Sequence, residues 1–206
     1  MLSAQHADLK SPVSYLALGD SYTIGESIAE NERWPNQLVD ALRKRRLEVN
    51  APRIIATTGW RTDDLQKAVS VANLNNDFSL VSLLIGVNNQ YQAKSVAQYA
   101  DEFENLVKTA LTLANGKKEN VFVVSIPDYG YTPFGESNQA AISRDINEFN
   151  SVSKRISEKL GVVYVNITDI SRRGLQEIDL VAPDGLHPSG KMYSLWVERI
   201  LKKILK

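Results

Sequence analysis

The sequence contains no cysteine and only two histidines, His6 and His187, among its 206 residues. The missing thiols exclude disulfide frameworks, cysteine-ligated zinc sites, iron–sulfur clusters and a cysteine nucleophile. Two histidines are too few for a multi-histidine metal site, so no metal is expected. Any histidine chemistry falls on His187, because His6 lies in a terminal segment that is predicted to be loose.

An excess of charge of either sign is also missing. Lys plus Arg and Asp plus Glu both number 24, so the formal net charge is zero. This balance argues against a nucleic-acid partner bound by counterion release, which requires a basic face. No run approaches the roughly 18 apolar residues of a membrane span, and residues 1–14 hold no signal-peptide core. The sequence as given predicts a soluble cytoplasmic protein, although a secreted or periplasmic chain trimmed of its signal peptide would read the same.

Apolar runs rich in β-branched residues alternate with stretches of helical periodicity. The nearly continuous apolar run 78–85 is typical of a strand buried on both faces of a sheet. The alternation predicts an α/β protein whose parallel sheet is covered by helices on both faces. The length suits one domain over residues 1–206. The predicted strands are 14–18, 53–57, 78–85, 121–126 and 162–165, and the predicted long helices are 34–46, 96–114, 138–160 and 189–205.

Short motifs follow the predicted strands or precede the last helix. In open sheets of this kind ligands bind beyond the carboxyl ends of the strands, so these motifs are predicted to share one rim. In chain order they are Gly19-Asp20-Ser21, Thr58-Gly59-Trp60, Gly86-Val87-Asn88-Asn89, Pro127-Asp128-Tyr129-Gly130-Tyr131 and Asp184-Gly185-Leu186-His187.

Acyl transfer is the chemistry that this rim can perform. A serine hydroxyl needs an adjacent base, and His187 is the plausible base for Ser21. The imidazole needs a group that fixes its tautomer, and Asp184 lies three residues earlier in a predicted turn. The backbone N–H groups of Ser21 and Gly59 and the side-chain amide of Asn88 can converge on the oxyanion that develops during the reaction.

Each motif also has a purely structural interpretation. Gly-Asp-Ser is common turn chemistry, and Gly59 can be the bend between a strand and a helix. Asn88-Asn89 can be a helix cap, Asp184 a turn residue and His187 a loop histidine. The catalytic interpretation is favoured because the motifs occur together at the predicted rim and use nearly the only histidine available.

As a set, these residues resemble the SGNH hydrolase family, also called GDSL-type esterases and lipases. The family is named for one Ser, one Gly, one Asn and one His in separate blocks. Here the four residues would be Ser21, Gly59, Asn88 and His187. The resemblance extends over residues 18–188. It implies a flavodoxin-like, three-layer α/β/α sandwich with a five-stranded parallel sheet in the order 2-1-3-4-5.

The resemblance also implies roles for the block residues, with Ser21 as the nucleophile, His187 as the base and Asp184 orienting His187. Two positions depart from the family pattern. Tyr22 replaces the leucine of the naming motif, at a variable position that does not touch the chemistry. Asn89 replaces the aspartate that often follows the asparagine of the third block, which leaves the local hydrogen bonding there an open question.

The leading hypothesis is a serine esterase that cleaves a small-molecule carboxylic ester through an acyl-enzyme, with no metal or other cofactor. The lack of long insertions favours an open site and short acyl chains. The alternatives are a thioesterase or lysophospholipase, a carbohydrate acetylesterase and an inactive flavodoxin-like binding module. The oligomeric state is left open. Aromatic residues beside the motifs are predicted to line the substrate pocket, namely Tyr22, Trp60, Tyr91, Tyr129, Tyr131 and Phe134.

Overall fold

The structure, a computed structural model, describes residues 12–205, and His6 therefore lies outside the described residues. The strands are β1 (Tyr15–Gly19), β2 (Arg53–Ala56), β3 (Leu80–Leu84), β4 (Val121–Val124) and β5 (Val163–Val165). The α-helices are α1 (Ser21–Ile24), α2 (Trp34–Arg43), α3 (Thr62–Val71), α4 (Val87–Tyr91), α5 (Val96–Leu113), α6 (Gln139–Leu160), α7 (Thr168–Ser171) and α8 (Gly190–Ile204).

The strands form one parallel sheet in the order β2-β1-β3-β4-β5. The predicted five-stranded parallel sheet and the strand order that the resemblance implied are thereby confirmed. Gly19 at the end of β1 aligns with Ala56 of β2 and with Leu84 of β3. The segments that follow these three strands therefore leave the sheet at the same edge.

Helices cover both faces of the sheet and complete the predicted three-layer sandwich. Helices α2 and α8 pack against each other on one face, while α5 packs between α3 and α6 on the other. Every residue of β1 and β3 is buried. This burial explains why the run around β3 is apolar on both sides rather than alternating.

Aromatic rings fill the space between the sheet and the helices. On the side of α2, the fully buried ring of Trp34 meets Phe122 of β4 edge-on at 6.3 Å between centroids. On the side of α5, Tyr99 packs against Phe103 at 5.3 Å and against Phe149 at 4.7 Å. Such pairs each contribute about 0.5–1.5 kcal/mol of stability beyond that from their buried area, so they strengthen the packing of the helices on the sheet.

The predicted strands and long helices all exist, and their ends differ from the prediction by a few residues. Helix α2 ends at Arg43 rather than at residue 46, where the backbone of Arg46 turns to a left-handed φ of 64°. Strand β3 begins at Leu80 rather than at 78, because the N–H of Phe78 donates to Leu113 at the end of α5. Over residues 12–205, no helix has both the length and the apolar character that crossing a bilayer requires.

Candidate active site

Ser21 opens the one-turn helix α1 directly after β1. The buried side chain of Asp20 caps this helix, since its Oδ1 accepts the backbone N–H of Tyr22 at 3.0 Å. The helix ends at Gly25, whose φ of 66° lies in the left-handed region that glycine adopts without strain. Ser21 is thus fixed at a sharp strand-to-helix turn at the edge of the sheet.

The carboxyl group of Asp20 is fully buried beneath the nucleophile turn. Burial raises the pKa of Asp20 to about 7, although backbone hydrogen bonds from Tyr22 and Gly86 act in the opposite direction. Asp20 therefore changes its charge close to neutral pH, unlike an ordinary aspartate.

Asp184 and His187 come together in the turn that precedes α8. Asp184 Oδ1 accepts the backbone N–H groups of Leu186 at 2.9 Å and His187 at 3.0 Å. Its Oδ2 lies 2.6 Å from Nδ1 of the His187 ring. An ionised carboxylate only accepts hydrogen bonds, so Nδ1 carries the proton and Nε2 of a neutral ring is left as an acceptor.

The Asp184 carboxylate receives one more donor, the hydroxyl of Ser27, at 2.6 Å from Oδ2. Partial burial pushes the pKa of Asp184 upward. The hydrogen bonds from Ser27, the His187 ring and the backbone outweigh that effect and hold the pKa well below its ordinary value. Asp184 is therefore charged throughout the neutral range and suited to stabilise an imidazolium.

Gly59 and Asn88 lie beside each other on the neighbouring part of the rim. Gly59 has a φ of 81°, and a Cβ built there would meet no atom within 4 Å. The backbone conformation, rather than a lack of space, calls for glycine at this position. The amide of Asn88 donates to the backbone carbonyl of Trp60 at 2.9 Å, which holds the side chain against the Gly59 loop. The second N–H of that amide is left for another acceptor.

Asn89, which replaces the aspartate of the third block, forms hydrogen bonds to Thr62 through both ends of its amide. Its Oδ1 accepts the backbone N–H of Thr62 at 3.1 Å, and its Nδ2 donates to the Thr62 hydroxyl at 2.6 Å. The Thr62 hydroxyl in turn donates to the carboxylate of Glu102. Asn89 thus ties helix α4, which carries Asn88, to the first residue of α3, just after the Gly59 loop.

A cavity of about 200 Å³ opens over these groups. Ser21, Gly59, Asn88 and His187 all line it, so the structure brings the four predicted block residues to one space. Apolar and aromatic side chains form the remaining walls together with Thr58, namely Tyr22, Val87, Tyr91, Tyr129, Phe134 and Leu186.

The sequence model of the GDSL-like Lipase/Acylhydrolase family matches residues 17–195. The chain belongs to this family. The resemblance drawn from the four blocks is confirmed, and membership makes the chain a hydrolase that acts on ester bonds. No protein with a curated function matches the chain by sequence.

Solved structures of GDSL-family esterases share the fold at low sequence identity. The esterase EstA from Pseudoalteromonas sp. aligns over 93% of this chain and 96% of its own, with a TM-score of 0.70 and 19% identity. A lipase/acylhydrolase from Enterococcus faecalis aligns over 92% and 94%, with a TM-score of 0.71 and 19% identity. The acetylxylan esterase Axe2 from Geobacillus stearothermophilus aligns over 95% and 96%, with a TM-score of 0.71 and 19% identity.

The prediction that Trp60 and Tyr131 line the substrate pocket is corrected, because neither residue lines the cavity over Ser21. The ring of Trp60 packs against the hydrophobic core, and only its backbone carbonyl contributes to the site, by accepting the Asn88 amide. Tyr131 turns away and lies beneath the guanidinium of Arg172, 5.9 Å from the ring centroid. Both residues lie in the expected segments, but neither lines the cavity.

The Ser21 hydroxyl makes no direct hydrogen bond to the His187 ring within the described part of the chain. Hydrogen bonds between a nucleophile and its base are often long in unliganded sites and shorten when substrate binds. In the same part of the chain, no group of three His, Asp or Glu side chains could hold a metal ion.

Three residues that shape this site were not predicted from the sequence. Ser27 contacts Asp184, and Thr62 and Glu102 complete the hydrogen bonds of Asn89. Ser27 and Asp184 are 157 positions apart, and no motif of the chain connects them. The one available signal was the departure at position 89, which marks a place where the hydrogen-bond partners differ from the family pattern.

Proposed function

We propose that this chain is a serine esterase that hydrolyses carboxylic esters through an acyl-enzyme. The observation that carries the proposal is the 2.6 Å contact between Asp184 Oδ2 and His187 Nδ1, in a ring that lines the same cavity as Ser21. The carboxylate fixes the tautomer in which Nε2 is free to accept a proton. That is the form of histidine that a serine nucleophile requires of its base.

In acylation, Ser21 Oγ bonds to the carbonyl carbon of the ester while its proton passes to His187 Nε2. The carbonyl oxygen becomes an oxyanion, which accepts hydrogen bonds from the backbone N–H groups of Ser21 and Gly59 and from the Asn88 amide. The carbon–oxygen bond to the alcohol then breaks, and the alcohol leaves with the proton from His187. Asp184 stays ionised and stabilises the intermediate imidazolium.

In deacylation, water takes the place of the alcohol. His187 Nε2 accepts a proton from the water as its oxygen bonds to the acyl carbon, and the same oxyanion contacts form again. The bond from the acyl carbon to Ser21 Oγ then breaks. The proton on His187 returns to Oγ, the carboxylic acid leaves, and the enzyme is restored.

The size of the cavity supports a short acyl group. Its volume of about 200 Å³ is below the roughly 300–1,000 Å³ of sites that enclose drug-sized ligands. Tyr91, Tyr129 and Phe134 form a cluster of rings with centroids 6.3 Å apart, which closes one side of the cavity. A long acyl chain would have to displace these rings, cross them into a neighbouring polar cavity or lie outside in water.

A second cavity favours a carbohydrate acetylesterase as the second candidate. This cavity has a volume of about 290 Å³ and adjoins the first across the same three rings. Its lining adds the polar side chains of Gln90, Asn138 and Asp145. Sugars stack their C–H faces on aromatic rings while their hydroxyls bond to amides and carboxylates. Axe2, a structural neighbour, is described as an acetylxylan esterase. No comparable observation supports a thioesterase or lysophospholipase.

The test is steady-state hydrolysis of p-nitrophenyl acetate and p-nitrophenyl octanoate by the wild type and Ser21→Ala. We expect kcat for the acetate to fall by roughly 10³-fold or more in Ser21→Ala. For the wild type, kcat/KM for the acetate should exceed that for the octanoate by about tenfold. Equal turnover by Ser21→Ala would contradict the proposed nucleophile, and a preference for the octanoate would contradict the proposed acyl length.

The alcohol side of the substrate needs its own comparison. Acetylated xylo-oligosaccharides, an acyl-CoA and a lysophospholipid sample the three classes of substrate that the family fold leaves open. Faster release of acetate from the oligosaccharide than from p-nitrophenyl acetate supports the second candidate. A folded wild-type protein that hydrolyses none of these esters would favour the binding module instead.

A further inference from the structure

The three residues after helix α1, here called the 25–27 turn, contact three separate segments of the site. The backbone N–H groups of Gly25 and Glu26 both donate to the carbonyl of Ser21, the latter at 3.1 Å. The position of the turn is thus set by the backbone of the nucleophile itself.

The side chains of the turn reach the two other parts of the site. The carboxylate of Glu26 accepts the hydroxyl of Thr58, the residue before Gly59. The hydroxyl of Ser27 donates to Asp184 Oδ2 at 2.6 Å. One short segment therefore joins the nucleophile, the Gly59 loop and the carboxylate that contacts His187.

Ser27, whose hydroxyl makes this contact, has a backbone conformation that is unfavourable for serine. Its φ of 65° lies in the left-handed region, which non-glycine residues seldom adopt. Such strain persists only where the surrounding structure fixes it, and it concentrates at functional sites. Glycine would relieve the strain at this exposed position but would also remove the hydroxyl.

We propose that Ser27 is a positioning residue of the catalytic machinery, whose hydroxyl holds the Asp184 carboxylate against the His187 ring. The inference rests on the serine esterase function proposed above. Ser27 thereby fixes the position of His187 relative to Ser21, because the 25–27 turn is hydrogen-bonded to the Ser21 carbonyl.

The Ser27 hydroxyl also shares the negative charge of Asp184. Oδ2 faces two donors, Ser27 Oγ–H and His187 Nδ1–H. When the hydroxyl is removed, the charge of Oδ2 acts on the imidazole alone, so the imidazolium persists to higher pH. A substitution at Ser27 replaces none of the other titratable or charged groups around this pair, namely Asp20, Tyr22, Glu26, Arg33, Asp128, Tyr129, Arg172 and Tyr193.

Three substitutions at one position separate the hydroxyl from the backbone strain. Ser27→Gly loses the hydroxyl and relaxes the backbone, and Ser27→Ala loses the hydroxyl and keeps the strain. Ser27→Thr keeps the hydroxyl and adds strain, because a β-branched residue is disfavoured at a positive φ. The measurements are kcat/KM for p-nitrophenyl acetate from pH 5 to 9 and the free energy of unfolding in urea. The Gly and Ala variants should both shift the midpoint of the acid limb upward by about half a pH unit, because the contact is partly exposed.

The free energy of unfolding should follow a different order from the midpoint, because Ser27→Gly should be more stable than Ser27→Ala. Ser27→Thr should keep the midpoint of the wild type. The proposal is overturned if the Gly and Ala variants keep the wild-type midpoint, or if the midpoint follows stability rather than the hydroxyl. A failure of the esterase proposal would look different, because the wild type itself would then hydrolyse no ester.

Discussion

Asn89 and Thr62 are joined by two hydrogen bonds that run in opposite directions. The Asn89 side chain accepts the backbone N–H of Thr62 and donates to the Thr62 hydroxyl. The hydroxyl has a single proton, which it donates to Glu102. Position 89 must therefore supply a donor, and an asparagine does so where an aspartate cannot. Glu102 thus makes the Thr62 hydroxyl unavailable as a donor to position 89.

Replacing Asn89 by aspartate should destabilise the protein. In Asn89→Asp the Thr62 hydroxyl can donate to only one of the two carboxylates that face it, so one oxygen of the other loses its donor. We expect the free energy of unfolding in urea at pH 7 to fall by about 2–4 kcal/mol. Turnover of p-nitrophenyl acetate should fall as well, because Asn88 is the preceding residue of the same helix.

The double variant Asn89→Asp/Glu102→Gln is the matched control. A glutamine at 102 can donate to the Thr62 hydroxyl, which is then free to donate to the aspartate at 89. The double variant should recover at least half of the lost stability, a coupling that two independent sites would not show. If the losses of unfolding free energy in Asn89→Asp and Glu102→Gln simply add in the double variant, the two positions act independently. That result would rule out the need for a donor at position 89.

The buried carboxyl of Asp20 should make stability depend on pH. Its pKa rises from 3.8 to about 7 on folding, so the folded state binds the proton more tightly than the unfolded state. The resulting loss of stability is absent below about pH 4, grows through the interval between the two values and is complete above about pH 7. Asn in Asp20→Asn keeps an acceptor for the Tyr22 N–H but carries no charge.

The difference in unfolding free energy between Asp20→Asn and the wild type should therefore increase with pH. Between pH 5 and pH 8 we expect it to shift in favour of the variant by about 1–3 kcal/mol. Urea titrations at four or five pH values measure this difference, in which all other titrating groups cancel. A difference that stays constant with pH would mean that Asp20 is charged throughout.

Removing the Asn88 amide should reduce the rate far more than the stability. Asn88→Ala removes a donor to the oxyanion, and kcat should fall by about 10²–10³-fold. The bond to the Trp60 carbonyl is worth only about 1 kcal/mol, so urea unfolding should change little. The exposed Asn105 of α5 provides a control, because Asn105→Ala should alter neither quantity. A kcat within threefold of wild type would remove Asn88 from the proposed oxyanion hole.

The pH dependence of kcat/KM should report a single essential ionisation. The pKa of Asp184 is held well below its ordinary value, so this group stays charged from pH 5 to 9. His187 is then the group whose loss of a proton creates the base, and the rate should rise with pH and level off. The same profile measured on Asp20→Asn, which carries no carboxyl beneath the nucleophile turn, assigns the remaining ionisation to His187. A rate that is flat across the range would argue against a histidine base.

The sequence could predict which segments share the carboxyl-terminal edge of the sheet but not the contacts between them. Ser21 and His187 were identifiable because each lies in a motif at the end of a predicted strand or before a predicted helix. Strand polarity then placed both residues at one edge without any knowledge of packing. The confirmed sheet order came from the resemblance, because hydrophobic periodicity does not determine which strands are neighbours.

The directions of side chains and the contacts between distant loops could not be predicted. Trp60 and Tyr131 lie in the expected loops, yet Trp60 is a half-buried residue packed against the core and the Tyr131 ring lies beneath Arg172. The bond from Ser27 to Asp184 depends on a left-handed backbone at a serine, where residue preference predicts glycine or asparagine. Local sequence holds no signal for such a turn when the partner is in a remote segment.

The most direct test of the proposed mechanism is the intact mass of the protein after exposure to a fluorophosphonate probe. The wild type, Ser21→Ala and Ser27→Gly are treated in parallel at pH 7.5, with circular dichroism to establish that each is folded. We expect one adduct on the wild type, slower formation of the same adduct on Ser27→Gly and none on Ser21→Ala. A folded wild type without an adduct, or a labelled Ser21→Ala, would contradict the assignment of Ser21 as the activated nucleophile.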